Sequence, residues 1–526
     1  MKFNFARQKT AVAVAAALSV GAAAPVFAVS HSDTGLGEVA LVPYYTVRDS
    51  YDTNISVVNT SNRYVVAFKI RFREGSNSRD ARDFNVFLSP NDVWTATVSM
   101  GEDGVPFIQT ADTSCTAPWI ANNRDQGFVV VGQTADGRDI KQLDMTNIAY
   151  AGGSVFPPDS GSSSIERAQE GHIEIIEMGV ASPNPNDSEL GSLAVHGPTH
   201  NCAYLAGVYD PVRNPITVMG SGPMQCNDTG VPIGSTASGD LAFQAEFCEP
   251  LNVLKVSASL IKVDEGVAGG MPVTMLSNFF NPAGIEDPNN PDMQDLMNEP
   301  MSVNPNLRAA FPAISVQVAN GLPVLADFTM GSPRDGANAV SSLFSATDVI
   351  NEYAVGGAAD AQTAWVVTFP TKHVYVDLGE DPSAPIAPFQ APYSSGVSCV
   401  TVNFDYYDRE EQSPSVAPGQ VLPSPPPVTP IPTNSICDEA QVINFGSRDI
   451  FGSQHNYVVD REDGFDSGWM RLGFPGAGQI TDVNGLIFRG LPTIGFSLKT
   501  LDNGTIGNAL RTYGMTAEHA YQRTIE

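Results

Sequence analysis

Val65 to Arg73 reads Val-Val-Ala-Phe-Lys-Ile-Arg-Phe-Arg and lies at the centre of the stretch that decides the fold, Asn54 to Met100. Apolar and polar side chains alternate along it, with Val66, Phe68, Ile70 and Phe72 on the apolar face. A period of two is typical of a β-strand that has one buried and one solvated face. We therefore expect antiparallel β-structure with the apolar face in the core.

The same period recurs on both sides of this strand. Thr53 to Asn59, Asp83 to Ser89 and Val93 to Val98 alternate in the same way, and Asn, Ser, Gly and Pro residues separate them. Four short strands at this spacing predict a β-sandwich, and we expect an immunoglobulin-like one. The predicted fold class is mainly β: an immunoglobulin-like β-sandwich core with a mixed, loop-rich middle region and a few short helices.

The chain begins with the features of a secretory signal. Lys2, Arg7 and Lys9 precede the short apolar stretch Ala11 to Ala24, and Val26-Phe27-Ala28 is a small-residue cleavage site. This pattern predicts a signal peptide over residues 1–28. The apolar stretch is too short to span a bilayer comfortably, and no later run is longer. We expect a protein that is secreted, at the cell surface or in the periplasm, with no transmembrane segment.

The remaining chain is divided by its composition. About 500 residues exceed what one core usually fills, so we expect two or three domains. The Pro-rich segment 413–434 holds eight prolines in 22 residues and predicts a surface excursion or a linker. We assign 29–165 to the N-terminal immunoglobulin-like sandwich, 166–412 to a mixed β-rich region and 435–526 to a C-terminal β-rich region. Ala339 to Ala354 is the best helix candidate.

Charge limits the partners. The chain has 57 acidic and 28 basic residues and a net charge of -29. Because such a surface repels phosphate groups, it argues against nucleic acid and anionic membranes as partners. It is typical of a solvated extracellular surface.

Cysteine usage points to disulfides. The six cysteines are even in number and occur in a chain that we expect to be exported. Our preferred pair is Cys399 and Cys437, because a bridge there would brace the ends of the Pro-rich segment. We expect the other four to pair among themselves, in an arrangement that the sequence leaves open: Cys115, Cys202, Cys226 and Cys248.

Two acidic clusters are candidates for calcium binding, the only cofactor that the sequence suggests. One cluster contains Asp405 and Asp408, and the other contains Asp287, Asp292 and Asp295. Extracellular β-sandwiches often hold Ca²⁺ through carboxylate oxygens, but neither cluster has the spacing of an EF-hand. We interpret both clusters as solvated acidic loops, with calcium binding as the alternative.

Two segments that contain histidine could supply catalytic or metal-binding groups. His172, Glu174 and Glu177 could supply acid and base groups, but we interpret them as the solvated face of an antiparallel strand. His196 and His200 frame a Gly-Pro sequence that forbids the regular helix of a two-histidine metal motif. We expect a turn with two solvated imidazoles.

The polar face of the central strand is the predicted partner face. Lys69, Arg71 and Arg73 form a basic stripe on an acidic protein. Cross-strand ion pairing is one interpretation. The other is a docking face for an acidic neighbour, which includes another copy of the chain.

Several phrases spread over most of the mature chain resemble an uncharacterised family of secreted proteobacterial β-rich proteins of unknown function. They are Leu41 to Thr46, Val66 to Glu74, Leu88 to Thr95, Gly171 to Met178, Asp348 to Tyr353, Trp365 to Thr371 and Tyr407 to Gln412. The resemblance implies one shared secreted architecture and brings no known activity with it.

No catalytic motif stands out. The sequence has no G-x-S-x-G elbow, P-loop or H-E-x-x-H helix. We therefore predict a non-catalytic protein with a structural or adhesive role through protein or glycan contacts at the cell surface, including self-association. The alternative is a secreted carbohydrate-active enzyme or a carbohydrate-binding module, which predicts a cleft lined by Trp or Tyr with paired carboxylates. The absence of an acidic cleft together with burial of all four tryptophans would count against it: Trp94, Trp119, Trp365 and Trp469.

Overall fold

The computed structural model describes residues 28–146, 148–152, 157–208, 247–280, 305–319, 321–379, 386–413, 434–506 and 509–526. Strands make up 48% of it and helices 10%, which confirms the predicted mainly β class. Several predictions fall outside the described residues: the signal peptide before Ala28, nearly all of the Pro-rich segment, Cys226, and the acidic cluster of Asp287, Asp292 and Asp295.

The described residues of the first part of the chain, up to Phe280, form short and medium strands. They are β1 (Ser30–His31), β2 (Val39–Thr46), β3 (Asp52–Asn59), β4 (Val65–Glu74), β5 (Asp80–Leu88), β6 (Val93–Met100), β7 (Pro106–Thr110), β8 (Cys115–Ala117), β9 (Val129–Gln133), β10 (Asp139–Asp144), β11 (Glu170–Ala181), β12 (Leu254–Lys262), β13 (Val267–Met271) and β14 (Thr274–Ser277).

The described residues of the second part, from Pro305 onward, are also rich in strands. They are β15 (Ile314–Ala319), β16 (Leu322–Asp327), β17 (Ser345–Ala346), β18 (Asp348–Ala354), β19 (Gln362–Thr368), β20 (Val400–Thr401), β21 (Asn403–Asp408), β22 (Ser435–Ile436), β23 (Ala440–Asn444), β24 (Asn456–Val458), β25 (Ser467–Gly473), β26 (Gln479–Thr481), β27 (Ile487–Arg489), β28 (Leu491–Pro492), β29 (Ile494–Ile506), β30 (Ala509–Glu518), β31 (Ala520–Gln522) and β32 (Thr524–Ile525).

The helices are short. They are α1 (Ile148–Ala151), α2 (Glu189–Ala194), α3 (Cys202–Val208), α4 (Asp335–Phe344) and α5 (Lys372–Val376), with 3-10 turns at Arg48–Ser50, Ile165–Gln169 and Leu307–Ala309. None of these described helices has the length and apolar character that a membrane crossing requires.

The four largest sheets of the described residues form the framework of the molecule. Sheet 1 has the strand order β1-β14-β2-β11-β4-β5-β8, and sheet 2 has the order β13-β12-β3-β6-β7-β10-β9. Sheet 3 has the order β24-β23-β19-β29-β30, and sheet 4 the order β21-β25-β18-β31. Every neighbouring pair in them is antiparallel except β23 with β24, as the predicted antiparallel structure requires.

Sheets 1 and 2 share one hydrophobic core. Phe68 and Ile70 of sheet 1 meet Val57 and Trp94 of sheet 2, and all four side chains are fully buried. The apolar face of β4 is therefore core, as the alternation predicts. Phe496 of sheet 3 joins the same core, so the two parts of the chain are packed together. Two sheets around one core are compatible with the predicted sandwich, and the immunoglobulin-like detail stays a prediction.

The predicted domain boundary at residue 165 falls inside these sheets. β11 lies between β2 and β4 and pairs with both, and β12 pairs with β3. Residues up to β14 thus complete the sheets that the N-terminal strands begin, because backbone groups of β2, β3 and β4 need these later strands as hydrogen-bond partners.

The predicted helix over Ala339 to Ala354 is half wrong. α4 ends at Phe344, and β18 begins four residues later and pairs with β25 on one side and β31 on the other. Two neighbouring strands supply backbone hydrogen bonds that outweigh a weak helical period.

The disulfides join distant segments. Cys399 and Cys437, the preferred pair, are bonded to each other, and Cys115 is bonded to Cys202 at the start of α3. Cys248 is also disulfide-bonded.

Sheet 1 is buried on both faces, so the polar residues of its central strands lie in the interior. Every residue of β2, β4 and β11 is buried. The outer side of β11 packs through Ile176 against Leu276 and Leu343, which belong to β14 and α4. Later segments of the chain therefore cover the face that the sequence predicts to be solvated.

Candidate functional site

The polar residues of β11 lie in the interior. His172, Glu174 and Glu177 have no exposed surface, so their interpretation as a solvated strand face is wrong. Later segments of the chain lie beside them. His373 of α5, for example, interacts electrostatically with Arg73 and Glu174. A period of two in the sequence gives the face of each side chain, but not what covers that face.

The basic stripe on β4 is also buried, so the predicted partner face is wrong. Lys69, Arg71 and Arg73 are 5%, 4% and 4% exposed. Lys69 Nζ lies 2.5 Å from Asp83 Oδ2, and Arg71 Nη1 lies 2.8 Å from Asp80 Oδ2. Nε of Arg71 donates to the backbone carbonyl of Pro305, which belongs to a segment that covers this face.

Arg73 links the stripe to β11. Its Nη1 lies 3.2 Å from Asp80 Oδ1, and its Nη2 lies 3.2 Å from Glu174 Oε2. The interpretation as cross-strand ion pairing thus describes the stripe, with the difference that these pairs are desolvated.

Glu74, the last residue of β4, organises the next cluster. Its carboxylate accepts backbone N–H groups of Ser76, Asn77 and Arg79, which fixes the turn between β4 and β5. Arg167 holds the same carboxylate through two hydrogen bonds, of 2.7 Å and 2.8 Å. Arg167 also pairs with Asp159, so two carboxylates share one guanidinium.

Arg79 connects this turn with the second part of the chain. Its guanidinium makes a two-point contact with Asp377, with distances of 2.6 Å and 3.0 Å, and each side chain is 2% exposed. The Asn77 amide donates to both Asp159 and Asp377, so it bridges the two clusters. Ser78 donates to Glu439, just before β23.

Glu170 forms a third cluster. Its carboxylate lies 2.7 Å from Arg48 Nε and accepts hydrogen bonds from Tyr44 and Ser453. His455, next to it in the second part of the chain, lies 3.1 Å from Asp438. We call the connected groups the ion network; it consists of Arg48, Arg73, Glu74, Arg79, Asp159, Arg167, Glu170, Glu174, Asp377, Glu439 and His455.

Burial and pairing shift the pKa values of the ion network and of the neighbouring His373 in opposite directions. Burial holds the pKa of His373 well below its usual value, and the nearby Arg73 acts in the same direction. Burial also raises the pKa of Glu439 well above its usual value, although Lys372 opposes this. At His455 burial would lower the pKa, but Asp438 and Glu170 outweigh it and raise the pKa to about 9.

The chemistry of the ion network is structural. A general acid or base must come within hydrogen-bond distance of its substrate, and Glu174 and His172 have no exposed surface. Desolvated charges are stable only when each is paired and hydrogen-bonded. The network therefore acts as a polar clamp between the two parts of the chain.

The histidine turn does not form a metal site. His200 Nε2 lies 3.1 Å from Cys202 Sγ, and Cys115, His200 and Cys202 form the one group of potential metal ligands found in the described ranges. Both sulfurs are bonded to each other in the disulfide, so neither is a thiolate.

The described calcium candidates do not converge. Asp405 is exposed, whereas the Asp408 carboxylate accepts the backbone N–H groups of Glu410 and Gln412 at the end of β21. Residues three apart on a strand point to opposite faces. Asp405 and Asp408 therefore lie on different sides of sheet 4.

Sheet 4 carries an aromatic pair on its open face. Trp469 of β25 lies opposite Tyr407 of the edge strand β21, and their rings are stacked with centroids 4.5 Å apart and an interplanar angle of 15°. Trp469 is 36% exposed. Of the other tryptophans, Trp94 and Trp365 are fully buried, and Trp119 is partly buried.

Polar side chains flank this pair. Glu352 of β18 lies opposite Trp469, and Arg471 lies two residues farther along β25, opposite Asp405. Within the described part of the chain, Nε of Arg471 has no hydrogen-bond partner. We call Glu352, Asp405, Tyr407, Trp469 and Arg471 the aromatic face.

No family model, curated protein or solved structure matches the chain.

The aromatic face is the site that sequence reasoning missed. Tyr407 and Trp469 are 62 positions apart in the sequence, and only the pairing register of β21 with β25 brings them together. Each lies in a short stretch of strand character, but nothing local to either stretch indicates the partner strand.

Proposed function

We propose that the chain is an exported, non-catalytic protein of the cell surface or periplasm with a structural or adhesive role, and that it contacts glycans through the aromatic face. The observation that carries this proposal is the stacked pair of Tyr407 and Trp469 on an otherwise polar, accessible sheet face. The resemblance to an uncharacterised secreted family and the signal pattern support export.

The aromatic face has the chemistry that a sugar requires. A pyranose ring has an apolar side of C–H groups and an equatorial rim of hydroxyls. Aromatic rings offer apolar area and a negative π-face to the C–H groups. Arg471, Asp405 and Glu352 offer donors and acceptors to the hydroxyls at the rim. Trp, Tyr and Arg are also the residue types that contribute most binding energy at interfaces.

The carboxylates favour binding over catalysis. A glycosidase needs two facing carboxyl groups, one of which keeps its proton at neutral pH. Burial raises the pKa of Glu177 to about 8, but this side chain is fully enclosed. On the aromatic face, Glu352 Oε1 lies 2.5 Å from Lys499 Nζ, so this carboxyl group is engaged by a cation. This arrangement supports a binding surface rather than an acid and base pair.

The proposal is tested with the mature chain, residues 29–526, on a glycan array and on polysaccharide extracted from bacterial envelopes. We expect Trp469→Ala to weaken binding at least about tenfold. One aromatic side chain that stacks on a ligand ring contributes about 1 to 3 kcal/mol of binding free energy. The matched control is Tyr513→Ala, because Tyr513 is 53% exposed on β30 of another sheet.

Two results would contradict the proposal. Equal losses in the Trp469 and Tyr513 variants would show that the aromatic face is not the contact. Turnover of a panel of chromogenic glycosides by the purified mature chain would support the alternative, a carbohydrate-active enzyme.

A further inference from the structure

The outer face of sheet 2 forms a trough with a volume of about 700 Å³. It crosses strands β13, β12, β3, β6 and β7, and the hairpin between β9 and β10 closes one end. Its lining consists mainly of serine, threonine and alanine side chains, with the amides of Asn54 and Gln109.

The register of sheet 2 arranges the polar lining in two rows. In the first row Ser257 lies opposite Ser56, which lies opposite Thr95. The second row is Gly270, Ser259, Asn54, Thr97 and Gln109, each opposite the next. Neighbours within a row are about 4.8 Å apart, and the rows, two residues apart along each strand, are separated by about 6.7 Å. The rows run across the strands, so the trough suits an elongated occupant.

The lining contains no charged side chain, although the protein has 57 acidic and 28 basic residues. A solvated sheet face usually carries long charged side chains, which keep other molecules away. Here short hydroxyl and amide side chains replace them, so a flat molecule can approach the sheet closely.

Several hydrogen-bonding groups of the trough are available, although Ser257 Oγ accepts from Lys255 and Gln109 Oε1 accepts from Gln142. Thr97 Oγ1 donates to Asn54 Oδ1 at 2.7 Å, which orients the Asn54 amide nitrogen as a donor. Among the described residues, the hydroxyls of Ser56, Thr95 and Ser259 have no hydrogen-bond partner. A hydroxyl both donates and accepts, and so does each hydroxyl of a sugar.

We propose that this trough is a second binding site, which takes an uncharged, polyhydroxylated polymer, a neutral glycan chain, laid across the strands along the two rows. The two rows offer hydroxyl and amide groups rather than charges, and Lys255 Nζ, which donates to Ser257 Oγ at 2.9 Å, lies beside the end of the first row. The site lies on sheet 2 and shares no residue with the aromatic face of sheet 4, so it goes beyond the function proposed above.

The experiment is affinity electrophoresis of the mature chain in native gels. Neutral gels contain hydroxyethyl cellulose, galactomannan or dextran, and charged gels contain alginate or polygalacturonate. The test variant is Ser56→Arg, which places a long cation in the middle of the first row. Ser447→Arg makes the same change at an exposed turn of the second part of the chain. Trp469→Ala separates this site from the aromatic face.

We expect at least one neutral polymer to retard the wild type and Ser447→Arg equally, and to retard Trp469→Ala more strongly than Ser56→Arg. Ser56→Arg should lose at least about tenfold in affinity, while its thermal unfolding is unchanged, because substitutions on a solvated face rarely alter stability. Retardation by the charged polymers alone, no retardation by any neutral polymer, or full retardation of Ser56→Arg would each overturn the proposal. Loss in Trp469→Ala with retention in Ser56→Arg would assign glycan binding to the aromatic face only.

Discussion

Arg79 illustrates how single residues join the two parts of this protein. Its guanidinium and the Asp377 carboxylate are almost completely removed from water and come from positions 298 residues apart. Removing two charges from water is expensive, and only a close pair with further hydrogen bonds offsets the cost. Arg79 has such bonds, because it also donates to the backbone carbonyls of Ala149 and Pro157.

This buried pair leads to a prediction about stability. Asp377→Asn should lower the free energy of unfolding by about 3 to 5 kcal/mol, because it leaves a buried guanidinium without its counter-charge. Asp466→Asn is the control, since Asp466 is 74% exposed and lies 3.8 Å from Arg461, and its loss should be much smaller. Urea denaturation measures both. Equal losses in the two variants would contradict a desolvated clamp.

β11 shows a steric constraint between neighbouring strands. It is the central strand of sheet 1 and approaches β4 so closely that a Cβ atom on Gly171 would lie 1.8 Å from the carbonyl oxygen of Arg73. Glycine is therefore required at this position because of backbone contact with the neighbouring strand.

Gly171→Ala should accordingly destabilise the protein by about 1 to 3 kcal/mol, the usual cost of forcing an added methyl group into a packed site. The matched change is Gly132→Ala on β9, where the nearest atom to the added Cβ is Ile140 Cδ1 at 3.9 Å. That variant should be neutral or slightly stabilised, because alanine restricts the unfolded chain. Thermal unfolding of the two variants checks the difference, and a Gly171→Ala protein as stable as the wild type would refute the close approach.

The same elements show how much the sequence predicts. The alternation of Phe68 and Ile70 identifies a strand and its core face, because side-chain direction is a local property. The burial of Lys69 and Arg73 depends on Pro305 and Glu174, and nothing near β4 indicates that these groups lie against it. The same holds for the aromatic face, which exists only through the register of β21 with β25.

At the scale of the whole molecule, the ion network couples stability to pH. Burial alone would lower the pKa of His455, but Asp438 and Glu170 raise it to about 9, above the usual value of 6.5. The native state therefore binds a proton that the unfolded state releases between these two values. The stabilisation is fully present below the lower value and is lost as the pH rises through about 9.

We expect the difference in unfolding free energy between the wild type and His455→Asn to shrink by about 2 to 3 kcal/mol from pH ~7 to pH ~10. His519→Asn is the control, since burial lowers the pKa of His519 to about 4, and this imidazole is neutral throughout that range. Its difference from the wild type should stay constant. Urea titrations at each pH measure both differences. If the difference between the wild type and His455→Asn also stayed constant with pH, His455 would not be protonated in the native state.

The clamp between the two parts also sets an order of events during synthesis. A ribosome delivers Ser78 and Arg79 long before it delivers Glu439 and Asp377, their partners in the second part of the chain. The Arg79 guanidinium lacks this counter-charge until Asp377 has emerged, so the clamp closes only after most of the polypeptide has been made. Long-range contacts of this kind slow folding. The first part of the nascent chain thus waits for the second part before the clamp between them can close.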